Sequence, residues 1–521
     1  MMDRKGIGFP RLQFGSREGT RPPAWANLLP LLSPLVLVGI CILLFFRGIS
    51  SRELWASHEA RAAQNAQRML DDGEWLLPRL FDGQVELQKP PGYYWLVAAV
   101  GWIRGGVDAW AVRLPAALAG TATVLLVWWY LRRRGRPVAA LVAGAVLAGA
   151  VHLTGTARIG RIDVPLTCAV TAMMLLARDA FGLAPASHAL ARSCLPAFAA
   201  MGALGGFALL LKGPIGLLLP AAALGTWAVV ERIPFRRLAV PCVTVGLLAL
   251  AIAAPWFVWV NAETGGEFFR VFFLYHHVNR AFGGAETLAG HPWWFYVPRF
   301  AADFLPWSPL LVAALALRRW RGDADARFGL VWFAIMVACL SLSRFKRADY
   351  LLPAYPGAAI FLGCAVEQWY LARSHPARTR AATAFALILL LLPIGWLVFD
   401  HQVTEREEAS QEQAPFARRV RETAPAPEPV ILFRVESHLL AYHVGRPVHT
   451  LVEWGDLNTV LRTAGPHAIV TRAEFLDDCR RHLTVPFEVV ARSEDASRAR
   501  PHRPLVLLRT VPEACPTPPK D

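Results

Sequence analysis

Apolar runs long enough to cross a bilayer recur along the first four hundred residues. A spanning helix needs about 17–25 predominantly apolar residues. Runs of that kind cover 28–46, 111–131, 137–153, 164–180, 196–211, 213–230, 238–259, 298–317, 328–343, 351–371 and 381–399. A further stretch, 93–103, is too short to span comfortably and reads as an interfacial or re-entrant helix. The pattern predicts a mainly α, polytopic bundle of about eleven spans, range about 9–13. The 27 residues before the first run are largely polar and basic, so 1–27 is expected to be a cytoplasmic tail and 28–46 an uncleaved first helix.

With the N-terminus inside, the inward loops are RRRGR (132–136), the 181–195 link, ERIPFRR (231–237), RRWRGDADAR (318–327) and ARSHPARTR (372–380). Nearly all are short and arginine-rich, as the positive-inside bias requires. The outward segments are 47–110, 154–163, the break at Lys212, 260–297, 344–350 and everything beyond 400. A spanning 93–103 would invert every later loop and put several arginine clusters on the wrong side.

The first outward loop is amphipathic. Ser57 is a candidate cap for a helix from His58 to Asp71 that stops at Gly73. Glu59, Ala63, Ala66 and Leu70 would share one face of it. Beyond 400 the apolar runs shorten to strand length: VILFRV (430–435), VHTLV (448–452), AIVTR (468–472), FEVVAR (487–492) and LVLLRT (505–510). Helical patterns at 437–444, 455–464 and 473–482 alternate with them, which predicts a small α/β domain in 400–521 after the bundle of 28–399. It has no glycine-rich phosphate loop.

Composition agrees with a membrane protein. Of 521 residues 55% are hydrophobic and 18% charged, against about 45–50% and 25% in soluble chains. The 19 tryptophans suit bilayer interfaces. Net charge is +15, but the basic residues fall in short clusters between spans, which argues against nucleic acid. Six of the 8 cysteines lie in or beside apolar segments. Cys479 and Cys515, in the polar tail, are either a disulfide in an oxidising compartment or two free thiols.

Ionisable residues near a membrane are functional hypotheses by default. SHEAR (57–61) puts His58, Glu59 and Arg61 at a helix start, where a carboxylate can act as base, bind metal or only meet the helix dipole. QKPPGYYW (88–95) holds Lys89 rigidly before Tyr93 and Tyr94, as a phosphate ligand or as a snorkelling lysine with aromatic anchors. Asp163, near Arg158 and Arg161, opens a span as a functional acid or a cap. Lys212 interrupts two apolar runs beside Gly-Pro, as a site residue or part of a hairpin turn. Arg344, Lys346 and Arg347 break the charge rule for an outward loop, which an anionic ligand would explain; the alternative is a solvated turn. His276, His277 and His291 are candidate metal ligands without helical metal spacing.

In order and spacing, HEARAAQNAQRML (58–70), GEWLLPRLFDGQVELQKPPGYYW (73–95), AVRLPAAL (111–118), RIDVPL (161–166), KGPIGLLLP (212–220), HPWWFYVPRFAADFLPW (291–307) and SRFKRADYLLPAYP (343–356) are similar to one family. The chain resembles the polytopic GT-C glycosyltransferases that use lipid-phosphate sugars, the lipid A aminoarabinose transferases and protein O-mannosyltransferases. The resemblance covers about residues 30–400. It implies a polyprenyl-phosphate sugar donor and a lipid, glycan or protein acceptor, joined with inversion at the extracytoplasmic face of the cell membrane. It implies catalytic roles for Glu59 or Asp163, with His58 as proton partner, and donor-phosphate contacts from Lys89, Arg344, Lys346, Arg347 and Tyr350. Arg61, Tyr93, Tyr94 and Lys212 would line the substrate cavity. His291 matches a histidine able to join a divalent metal site; no organic cofactor is implied, and a monomer is expected. The sequence departs from the family at His58, where an aspartate is usual, and at Gln88, often glutamate. Two other classes compete: a lipid-linked-sugar transporter, which would place its site at mid-membrane and show internal repeats, and a non-catalytic relative.

Overall fold

The structure, a computed structural model, describes residues 24–183, 195–283, 290–404, 406, 413–435, 438–463, 465–496 and 504–511. Residues 1–23 of the expected tail, most of the 181–195 link, and Cys515 lie outside these; Cys479 is buried. The chain is a bundle of apolar helices carrying a small sheet near its C-terminus. Among the described residues 7 helices are long and apolar enough to cross a membrane, or up to 9 if each of two bent pairs is one span. Two shorter apolar helices, Leu32–Phe46 and Ile215–Val230, fall on the remaining expected runs.

Two runs expected to be continuous are broken. Pro137–Gly149 and Val151–Ala157 meet at 64°, and Tyr296–Asp303 and Ser308–Leu317 at 113°. Pro306 explains the second break, since it can donate no helical hydrogen bond. Carbonyls near both breaks are satisfied locally, by the Thr154 hydroxyl donating to Ala148 O at 2.8 Å and Ser308 to Ala301 O at 2.5 Å. The 93–103 run forms a helix over Gly92–Arg104. The expected loop helix runs from Ser57 to Asp72 and stops at Gly73, whose φ of 73° is the left-handed cap. Ser57 is its first residue rather than its cap; Ala56 holds that place without a side-chain bond.

The Ala109–Arg133 helix sets the geometry. Arg113 near its start and Arg133 at its end are about 30 Å apart at 1.5 Å per residue, the thickness of a hydrocarbon core. At the Arg133 end, Arg134 bonds Asp325 at 3.1 Å and Asp179 at 3.2 Å, and Arg136 bonds Asp323 and Glu367, each at 2.7 Å. The basic cluster read as a topology signal therefore also ties helix ends together. The other end gathers Arg113, Asp163, Lys212 and Tyr350.

The tail folds as expected. Strands β1 (Val430–Phe433), β2 (Val448–Leu451), β3 (Ala468–Arg472), β4 (Phe487–Arg492) and β5 (Leu505–Thr510) form one sheet in the order β2–β1–β3–β5–β4. β1 runs parallel to β2 and β3; β5 is antiparallel to β3 and β4. The sheet rests on the first loop. Val448 N–H donates to Phe81 O at 3.0 Å, Gln64 to His438 O at 2.8 Å and Thr450 to Asp82 at 3.2 Å. Phe81 itself enters the apolar cluster of the sheet. The loop that carries Glu59 is thus braced by the sheet.

Candidate active site

Glu59 is fully enclosed, at 1% exposure. Arg113 Nε donates to its Oε1 at 2.8 Å and Arg113 Nη2 to its Oε2 at 3.3 Å, while the Gly160 N–H donates to Oε1 at 2.9 Å. Arg113 also bonds the carbonyls of Ile49, Arg52 and Glu53. Burial alone would raise the Glu59 pKa, but Arg113 and these hydrogen bonds more than offset it and hold the carboxyl below its usual value. Both oxygens are committed to the protein. The geometry therefore corrects the expectation of Glu59 as an open base: it pins the first loop to the Ala109–Arg133 helix and the 158–162 turn.

Asp163 is placed differently. It opens the Asp163–Leu183 helix, is 4% exposed, and pairs through Oδ1 with the Lys212 ammonium. Lys212 ends the Leu195–Lys212 helix, and its ammonium stands 4.1 Å from the centre of the Tyr350 ring. Gly213, with φ of 75°, turns the chain immediately afterwards.

Lys89 joins this pair. It lies within electrostatic reach of Lys212, Asp163, Arg280 and Glu86. Burial, followed by the repulsion of Lys212, lowers its pKa to about 8. No hydrogen bond to its ammonium occurs among the described residues. Its placement depends on Gly92, where a Cβ would stand 2.7 Å from the Leu210 carbonyl oxygen. Only a glycine lets the PPG turn touch the helix that ends at Lys212. A Cβ at Gly92 would therefore displace the turn that carries Lys89.

Around Lys89 the acids are already engaged. Arg61 forks onto Glu86, with Nε to Oε2 at 3.0 Å, and bonds Gln88 at 2.7 Å. The surplus positive charge is Lys89 with Arg280, a residue the sequence reading passed over. Arg280 follows a π-helix, Phe269–Asn279, and lies about 5.5–5.7 Å from the Phe345 and Tyr275 rings; its Nε is buried without a partner. The only signal in the sequence was an arginine in an outward loop beside aromatics. His276 and His277 flank it. Desolvation and Arg280 push the His276 pKa down to about 3, and desolvation lowers that of His277.

The residues expected from 343–350 divide. Lys346 is buried, but its ammonium bonds His291 O at 3.1 Å and the Ser343 carbonyl, so it is not presented to a ligand. Arg344 and Arg347 are exposed, and Arg347 lies 3.4 Å from Asp349. Tyr350 alone meets the Lys212–Asp163 pair. Tyr93 donates to Val112 O at 2.7 Å and Tyr94 is enclosed beside Glu86; both are packing residues rather than cavity lining. His291 lies between Phe295 and Phe345, with ring centres at 4.6 and 6.0 Å. Among the described residues no three His, Cys, Asp or Glu side chains are placed to hold a metal.

His58 lies near the same group. It is within reach of Arg161, Glu59, Asp163 and Asp349, and its Nε2 is buried without a partner. Desolvation, reinforced by Arg161, lowers its pKa to about 4, so the ring is neutral at pH 7. Asp349 is held by Arg161 at 2.7 Å and His152 at 3.4 Å.

Residues 88–259 match the dolichyl-phosphate-mannose-protein mannosyltransferase family. An undecaprenyl phosphate-alpha-4-amino-4-deoxy-L-arabinose arabinosyl transferase from Pseudomonas fluorescens is 31% identical over 377 residues, 72% of this chain and 61% of the relative. The chain thus spans about six-tenths of the length of that relative. Among solved structures, ArnT from Cupriavidus metallidurans bound to undecaprenyl phosphate superposes with a TM-score of 0.73 at 20% identity, over 92% of this chain and 98% of that one. The oligosaccharyltransferase AglB from Archaeoglobus fulgidus, with an inhibitory peptide and a dolichol phosphate, gives a TM-score of 0.55 at 14% identity, covering 87% of this chain and 70% of that one. The chain shares their fold, and the resemblance read from its sequence holds.

Proposed function

We propose that this chain is a membrane glycosyltransferase that moves a sugar from a polyprenyl-phosphate donor to a hydroxyl or amine of a lipid, glycan or protein acceptor. The observation that carries the reading is the meeting of Lys89, Lys212 and Arg280 beside Asp163 at one end of the bundle. The similarity to lipid-phosphate-sugar enzymes supports it.

In this reading Lys89 and Arg280 clasp the donor phosphate, with Tyr350 and Lys212 bordering it. The acceptor oxygen or nitrogen attacks the anomeric carbon as the bond from that carbon to the phosphate oxygen breaks. Asp163 takes the acceptor proton; its Oδ1 is fixed by Lys212, which orients the second oxygen. The electron pair leaves on the lipid phosphate, where the two cations stabilise the growing charge in a poorly hydrated pocket. Direct displacement inverts the anomeric centre. His58, neutral at pH 7, can pass a proton between Asp163 and the acceptor but supplies no charge. This end is assigned to the extracytoplasmic face of the cell membrane, with about eleven spans and the N-terminus inside, on the arginine bias of the opposite loops. The residues after 400 form a separate small domain that braces the first loop.

Purified protein incubated with labelled undecaprenyl-phosphate sugar and membrane-extracted acceptors tests the proposal. Label transfer with release of undecaprenyl phosphate supports it; movement of intact donor between leaflets without transfer would replace it with transport. Glu59→Gln separates holding from chemistry. It leaves Arg113 buried without a counter-charge, a loss of about 3–5 kcal/mol. The expected result is a lower yield of folded protein in detergent, with residual folded molecules still active.

A further inference from the structure

We propose that Arg47, Arg52 and Arg158, grouped around Asp400, form a second anion site that takes the phosphate of a lipid headgroup. Nothing in the transfer chemistry uses these residues, and the inference does not depend on it. Three guanidiniums face one carboxylate. Arg158 is 4% exposed; its Nη2 donates to Asp400 Oδ2 at 2.6 Å and to Arg47 O at 3.3 Å. Arg47 stands at the mouth, 56% exposed and 3.7 Å from the same carboxylate. Arg52 Nε donates to Gly48 O at 3.2 Å.

Three donors of the group have no partner among the described residues. Arg158 Nε, Arg52 Nη2 and the Trp55 indole N–H are each buried and unbonded among the described residues. Orphaned donors of this kind are rare in native structures and call for an explanation. They share a locality. Gly48 turns with φ of +71°, and a Cβ there would have Arg52 Nε and Ser51 Oγ at 3.6 Å and Arg158 Nη2 at 3.8 Å. Arg113, the next cation, is already neutralised by Glu59. Burial, followed by the repulsion of Arg158 and Arg113, lowers the Arg52 pKa to about 10 despite the pull of Asp400 and Glu59, so Arg52 stays charged at pH 7. A planar fork of donors suits a phosphate, whose oxygens it can meet in pairs.

The place favours a lipid over a soluble phosphate. Asp400 continues the apolar His375–Phe399 helix, which packs on the bundle through Phe385, Leu392 and Trp396 and leaves its other face, with Leu387, Leu390 and Leu391, exposed where lipid would lie. Trp396 of that helix lies under Arg158, 5.1 Å from the guanidinium. An anion entering past Arg47 therefore does so at the membrane surface.

The test uses the full chain purified in dodecyl maltoside, with thermal unfolding followed during titration. The probes are dioctanoyl phosphatidic acid, dioctanoylglycerol and inorganic phosphate. Phosphatidic acid is expected to raise the midpoint by roughly 2–4 °C in the wild type and in Lys89→Ala, and dioctanoylglycerol to leave it unchanged. Arg52→Gln, whose Nη2 holds nothing in the fold, should abolish the shift. Should that variant not fold, Arg47→Gln, at the exposed mouth, should weaken the apparent Kd about 3–10-fold. An equal shift with inorganic phosphate would remove the lipid from the proposal and leave a soluble anion. A full shift retained by both arginine variants, or lost in Lys89→Ala, would overturn it.

Discussion

Asp163→Asn is expected to lower transfer by about 10²–10⁴-fold, the span of a lost general base. The fall should appear in kcat, with donor KM little changed, because the phosphate is held by other residues. Asn removes the proton acceptor while leaving the Lys212 ammonium buried without its partner, so stability must be followed alongside. The double variant Asp163→Asn with Lys212→Gln removes both charges. It should recover the thermal midpoint without recovering turnover. Recovery of turnover in either variant would show that the proton goes elsewhere.

Lys89→Ala should reduce kcat/KM for the donor by about 10²–10³-fold, the usual cost of removing one donor that stabilises developing charge. A pH dependence accompanies it. With its pKa lowered to about 8, Lys89 carries its charge below that value and loses it above. Donor kcat/KM, which reports groups in the free enzyme, should therefore fall as pH rises through about 8. Lys89→Arg keeps its charge across this range, and its profile should stay flat there, even if its ceiling is lower. His58 stays neutral through the same window and should add no inflection near pH 6–7.

Much of this was legible in the sequence, and the failures have physical causes. Strands β3, β4 and β5 run over the residues expected from their short apolar runs. The meeting of Asp163 and Lys212 was not visible: 49 residues separate them, and only the packing of their helices brings the two termini together. Periodicity did not show the break at Ala150, since the run stays apolar through it. Glu59 was overread, because helix position reveals that a carboxylate is buried but not that Arg113 neutralises it from 54 residues away. Lys346 was overread for a similar reason. Its charge broke the topology rule, yet the nearby Ser343 and His291 carbonyls absorb it. Arg280 was missed because its charge is ordinary in a loop, and only the fold places it beside Lys89.

The central claim is that Lys89 and Arg280 hold a lipid phosphate opposite Asp163. An electron cryomicroscopy structure of the full chain with undecaprenyl phosphate tests it most directly. The account predicts the phosphate within hydrogen-bond distance of Lys89 Nζ and the Arg280 guanidinium, with its ester oxygen turned towards Asp163. A phosphate bound away from both cations, with Lys89 still unpartnered, would contradict it.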